Sequence, residues 1–326
     1  MIEQARYSAS RLVTVLGEIP ATLTGAVDAH SHIWIEPVQQ AAPDSPVLDD
    51  PERILAELQE YKAAGGAVII DCQPGGCGRN GNQLAWLSQE SGLPVIGCTG
   101  FHRRRYYSPD AVLWSQDEDR LTRRFVNELN VGMEETLTAR QPVRAGFVKI
   151  AIEVTLQDTP QAALAGAAAA AAETGVGLEV HTEKGVQAQQ VADYLIRRGV
   201  SPFQILICHI DKRPDHGLHV ELARMGVMLE YDTFYRPKYD PENNLWPLID
   251  TMAVSGLDYA VALATDMAES SQWRRYGGQP GLAAFPGQIR FRLAERGLSP
   301  DMIAKMTGGN ILRFMAAQPK IPTNME

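Results

Sequence analysis

Six side chains in this sequence could share one chemical site, the first two as metal ligands: His30, His32, Lys149, His181, His209 and Asp266. The first two stand in VDAHSH, Val27 to His32, where strand alternation places Ala29 and Ser31 on one face and both imidazoles on the other. Imidazole is the commonest protein ligand for divalent transition metals, and a His-x-His strand end delivers two at little entropic cost. Taken alone, such a pair reads first as a polar strand end. The other four stand in FVKIA, LEVHTE, ICHID and LATDM, each at or near the C-terminal end of a short apolar run. Six such residues on five strands point to one site.

These runs must belong to elements that bring their ends together. AVIIDCQ (67–73), PVIGCTG (94–100), GFVKIAI (146–152), VGLEVHT (176–182), FQILICHI (203–210), GVMLEYDTF (226–234) and YAVALATD (259–266) follow the first strand at βα spacing. Continuous apolar runs rich in β-branched residues are expected of parallel strands buried on both faces. Between them lie helical patterns: ILAELQEYKAAGG, NQLAWLSQESG, DEDRLTRRFVNELNVGMEETL, VQAQQVADYLIRRG, IRFRLAERG and MIAKMTGGNILRFMA. PQAALAGAAAAAAETG is low in complexity but strongly helical, with Gly175 as its stop. Eight βα units predict a single (β/α)8 barrel spanning residues 1–326, preceded by a short β-hairpin at about residues 12–25 that plugs the barrel bottom. In such barrels the C-terminal strand ends form the active site.

The chain's 326 residues suit one such domain, and 45% hydrophobic with 21% charged residues is an ordinary globular balance. A formal net charge of -9 argues against a nucleic-acid partner. The acidic, polar start MIEQARYSASRL and the lack of a long apolar segment argue against secretion and membrane insertion. Four cysteines without zinc-like spacing suit a reducing cytoplasm, and Cys72, Cys98 and Cys208 are expected to be buried and inert. PGGCGRN lacks the lysine of a phosphate-binding loop and reads as a βα turn.

VDAHSH, FVKIA, LEVHTE, ICHID and LATDM resemble the metal-binding motifs of the phosphotriesterase-like branch of the amidohydrolase superfamily, with further likeness in GGAVIIDCQPGGCGRN, GCTGF and GGNILRFM. The resemblance covers nearly the whole chain. It implies two divalent metal ions, zinc foremost with manganese or cobalt possible. His30, His32 and Asp266 hold one, His181 and His209 hold the other, and carboxylated Lys149 and a hydroxide bridge them. Such carboxylation calls for a lysine of depressed pKa, as burial produces. The alternatives are a salt-bridged lysine or a bridge by Glu153. The implied chemistry is hydrolysis, with the bridging hydroxide as nucleophile and Asp266 as general base.

Basic and aromatic groups cluster in the loops FHRRRYY, DKR, YRPKY and WRRY, which suits a small anionic substrate gripped by guanidinium groups. Arg236, Arg275, Tyr235 and His102 are the candidates, His102 reading equally as a pocket wall or a loop cap. Lys212 stands where many organophosphate-hydrolysing relatives have an acid, and Thr233 where they have a histidine. Efficient triester hydrolysis is therefore disfavoured. A lactonase acting on a sugar or phosphorylated lactone is the leading reading, with a phosphotriesterase, an amidase or deacetylase, or a ligand-binding barrel as alternatives. The resemblance also implies a homodimer. His216 and His219 are expected at the surface.

Overall fold

The computed structural model describes residues 10–316. A two-stranded antiparallel hairpin, β1 (Arg11–Thr14) and β2 (Gly17–Pro20), precedes eight parallel strands, β3 (Ala26–Ser31), β4 (Gly66–Asp71), β5 (Val95–Gly100), β6 (Phe147–Ala151), β7 (Leu178–His181), β8 (Ile205–Cys208), β9 (Met228–Tyr231) and β10 (Val261–Leu263). Each pairs with the next, and a parallel bridge from Ser31 to Met267 joins the two ends of the sheet. The (β/α)8 barrel expected from the apolar runs is therefore present.

The hairpin is tighter than expected, closing at Pro20 because Gly17 adopts φ +117 at its turn. It closes the barrel bottom: Leu12 is fully buried among Val27, Val68, Ile96 and Phe147, residues at the starts of four strands. The last helix (Asn310–Met315) seals the same end, its Ile311, Leu312, Phe314 and Met315 joining that cluster. The final barrel strand is shorter than the apolar run around it, since Asp258–Ala260 forms a 3-10 turn held by the Asn310 amide on the carbonyls of Asp258 and Val261.

A second apolar layer lies between strands and helices. The polyalanine segment becomes the helix Gln161–Thr174, stopped by Gly175 at φ 78. Its small residues let it lie close to the helix Glu118–Asn130, where a Cβ at Gly166 would stand 2.9 Å from the Leu121 Cβ. The expected turn PGGCGRN sends Arg79 inward, fully buried, onto Glu128 at 2.6 Å, Glu135 at 2.8 Å and the Cys98 carbonyl at 2.7 Å. Replacing Arg79 with methionine leaves Glu128 buried without its partner, so urea unfolding is expected to show a loss of about 3–5 kcal/mol.

Candidate metal centre

The strand ends bring the imidazoles of His30, His32, His181 and His209 together at the top of the barrel. His30 Nε2 lies 3.3 Å from His32 Nε2, and His209 Nε2 lies 2.9 Å from His181 Nδ1. Asp266 Oδ1 is 3.8 Å from both His30 Nε2 and His32 Nε2, and Lys149 Nζ is 3.1 Å from His30 Nε2. The six residues singled out in the sequence thus form one cluster.

The opposite nitrogen of each ring is already bonded. His30 Nδ1 faces Glu230 Oε2 at 2.9 Å and Glu179 Oε1 at 3.1 Å, His32 Nδ1 faces Gln73 Oε1 at 2.7 Å, His209 Nδ1 bonds Asp232, and His181 Nε2 faces Glu183 Oε1 at 3.3 Å. Each partner takes the N–H, so the inward nitrogen keeps its lone pair. Burial lowers the pKa of all four rings, that of His32 to about 4, which favours the neutral form a metal requires. This donor set of four neutral imidazoles and a carboxylate fits divalent transition metals. Replacing Asp232 with asparagine releases the tautomer of His209, and titration with a competing chelator is expected to show metal affinity about 10–100-fold weaker.

Two ligand candidates have left-handed backbones, His209 at φ 61 and Asp266 at φ 48, an unfavourable choice for residues with a Cβ. Such strain is held only where the surroundings enforce it. Asp266 is fixed by its amide donating to the His30 carbonyl at 3.1 Å and by Arg236 Nη2 donating to both its carbonyl at 2.6 Å and Oδ2 at 2.9 Å. Burial pushes its carboxyl up, but His209, Arg236 and His30 outweigh that and hold it well below the usual carboxylate range. Lys149 is placed by Gly100 at φ +110, where any Cβ would collide with the Lys149 carbonyl oxygen.

One sequence expectation is corrected at Lys149. Burial works to lower its pKa, yet Cys208 and Glu179 outweigh it and the group lies above the ordinary lysine range. The cause is a layer of carboxylates below the imidazoles that sequence reasoning missed: Lys149 Nζ donates to Glu179 Oε1 at 2.6 Å, and Glu230 lies beside them, both fully buried. Their spacing was a usable signal, because Glu179 is two residues before His181 and Glu230 two before Asp232, on the same strand faces. Asp28 stands likewise two before His30, fully buried, taking bonds from Thr265.

The alternative bridge is placed elsewhere, Glu153 accepting from the Arg104 amide at 2.7 Å and from Arg103 at 3.3 Å. Among the substrate candidates, His102 and Arg236 line a cavity of about 480 Å³ with His32, His181 and Asp266. Arg275 does not, since its side chain turns outward to pair with Glu60. Tyr235 faces a second hollow, its hydroxyl 3.4 Å from Gln288. His219 is buried, not at the surface, between the Tyr231 hydroxyl at 2.8 Å and the Arg213 carbonyl at 3.0 Å. Cys72, Cys98 and Cys208 are buried free thiols, as expected.

A model of the Phosphotriesterase family matches residues 10–315. The chain is similar to the phospho-furanose lactonase of Mycoplasmopsis synoviae (strain 53), 27% identical over 94% of this chain and 92% of that protein. It is 25% identical to the N-acetyltaurine hydrolase of Bos taurus, over 78% of this chain and 74% of that protein. Among solved structures, an amidohydrolase from Mycoplasma synoviae superposes with a TM-score of 0.85 at 26% identity, covering 96% of this chain and 93% of that one. The fold of a lactonase from Listeria monocytogenes matches with a TM-score of 0.86 at 24% identity, covering 95% of this chain and all of that one.

Proposed function

Because the chain belongs to the phosphotriesterase family, we propose that it is a metal-dependent hydrolase that opens a small, anionic lactone. His30, His32 and Asp266 would hold one divalent ion, His181 and His209 a second, and Lys149 would lie between them, carboxylated after its ammonium loses its proton and releases Glu179. Two such ions supply an activated water near neutral pH and polarise the substrate carbonyl. Asp266, kept anionic by its neighbours, accepts the proton of the attacking water and returns it to the departing ring oxygen. The observation that carries this reading is the convergence of four imidazole nitrogens whose outer partners are already satisfied.

Lactone opening is favoured over triester hydrolysis by what surrounds Asp211. Its Oδ2 accepts from the amides of Asp232 and Thr233 and from the Thr233 hydroxyl, so at these two stations a lysine, Lys212, and a threonine stand in place of an acid and a histidine that could pass protons outward. The names of similar proteins support a lactone and leave an N-acyl amide as the second reading. A cytoplasmic homodimer is also proposed, supported by the family resemblance and the free cysteines. Among the described residues no helix is long and apolar enough to cross a membrane.

The test is a screen of purified protein with zinc, manganese or cobalt against phosphorylated and unphosphorylated lactones, neutral esters, phosphotriesters and N-acyl compounds. Lactone opening that tracks metal content is expected. Protein that binds no metal and opens no lactone with any of the three refutes the reading.

A further inference from the structure

The four imidazoles are not held alike. His30 Nδ1 and His209 Nδ1 bond the carboxylates of Glu230 and Asp232, which have no exposure to solvent, and His32 Nδ1 meets the buried Gln73. The partner of His181 is different. Glu183 has 44% of its side chain exposed and meets His181 Nε2 at 3.3 Å, the longest of the four contacts. It stands on the loop after β7, where Lys184 at φ 57 and Gln187 at φ 56 both have left-handed backbones. A carboxylate that solvent can reach keeps much of its rotamer freedom, and a half-exposed ion pair alone does little to fix it.

What holds Glu183 is Arg103, from the loop after β5. Its Nη1 donates at 2.6 Å to Glu183 Oε1, the same oxygen that faces His181. Its Nε donates at 3.3 Å to Glu153 Oε2, on the loop after β6. Glu153 is anchored in turn, its Oε1 accepting from the Arg104 amide at 2.7 Å and its own amide donating to Thr159 Oγ1 at 3.0 Å. One guanidinium therefore ties three successive strand-end loops and aims at the oxygen that orients His181. A planar fork of donors can hold two carboxylates in fixed directions, which a single ammonium does less well. Among the described residues no hydrogen bond or ion pair joins Arg103 or Glu183 to His30, His32 or Asp266.

Resting on the reading of His181 and His209 as holders of a second ion, we propose that Arg103 is a positioning residue for that ion. By fixing Glu183 Oε1 it fixes the tautomer and tilt of His181. It thereby sets how tightly the second ion is kept, while the ion on His30, His32 and Asp266 is left alone.

The test loads the full-length protein with zinc and titrates it with a chromophoric chelator, which reads the dissociation constants of the two ions. The constant that Asp232→Asn shifts belongs to the second ion, because Asp232 orients His209. Glu183→Ala is expected to weaken that ion by about 10–100-fold, the usual loss when a ligand's outer partner is removed, and Arg103→Met by about tenfold. The first ion is expected to stay within about twofold of the parent in both variants. Arg103→Lys keeps a charged donor and is expected to restore most of the affinity. Combining Arg103→Met with Glu183→Ala is expected to cost no more than Glu183→Ala alone, since the arginine acts through that carboxylate. Equal weakening of both ions, additive losses, or a raised KM with unchanged zinc affinity each overturn the proposal while leaving the reading of the centre intact. If Arg103→Met does not fold, Glu183→Ala decides, and an unchanged second ion refutes the proposal. A parent protein that binds no zinc is recognised before any variant is made, and it refutes the reading of the centre together with the inference.

Discussion

Replacing Lys149 with alanine is expected to strip the protein of metal and reduce hydrolysis by at least about 10³-fold. Its Nζ sits 3.1 Å from His30 Nε2 with no exposure to solvent, the place from which a carboxylated amine would reach the imidazoles. Deletion acts twice. It removes the proposed bridge of the metal-loaded form, and in the metal-free, uncarboxylated form it leaves Glu179 buried beside Glu230 without the ammonium, which costs about 3–5 kcal/mol when one partner of a buried pair is lost. Elemental analysis of the folded fraction separates the two effects: metal content is expected to fall from two ions per chain to less than one even where the protein remains folded. Full activity with both metals retained refutes the bridging role.

Asp266→Asn is the second large effect. The amide keeps the size of the side chain and can still accept from Arg236, but it cannot take a proton from the attacking water. A loss in kcat of about 10²–10⁴-fold is expected, the usual contribution of a positioned general base. Because the carboxylate also faces His30 and His32 at 3.8 Å, the variant is expected to hold one ion more weakly than the other. A kcat within tenfold of the parent removes Asp266 from the base role.

The barrel was legible because each buried parallel strand is a short, continuous apolar run, and the cluster at its mouth was legible because the candidate ligands terminate those runs. Lys149 stood out as a lone charge inside an apolar strand. Its environment did not, because Glu179 and Glu230 looked like ordinary breaks in LEVH and MLEY until the inward face of each strand was known. Loop residues were least legible. Arg275 and Arg236 occupy similar basic, aromatic stretches, yet one pairs outward with Glu60 and the other turns in to Asp266, a choice set by neighbours far away in sequence. His219 was misplaced for a related reason: a helix reads polar at that position, but Tyr231 from the adjoining strand reaches up to satisfy the ring.

The hairpin at one end of the described chain and the last helix at the other both finish on the same side of the barrel, against the starts of the strands, while the reaction chamber opens at their far ends. For anyone immobilising this protein, that geometry decides orientation. A linker attached beyond either Ser10 or Ala316 tethers the barrel by its base, so on a bead or an electrode the opening points toward the flowing solution.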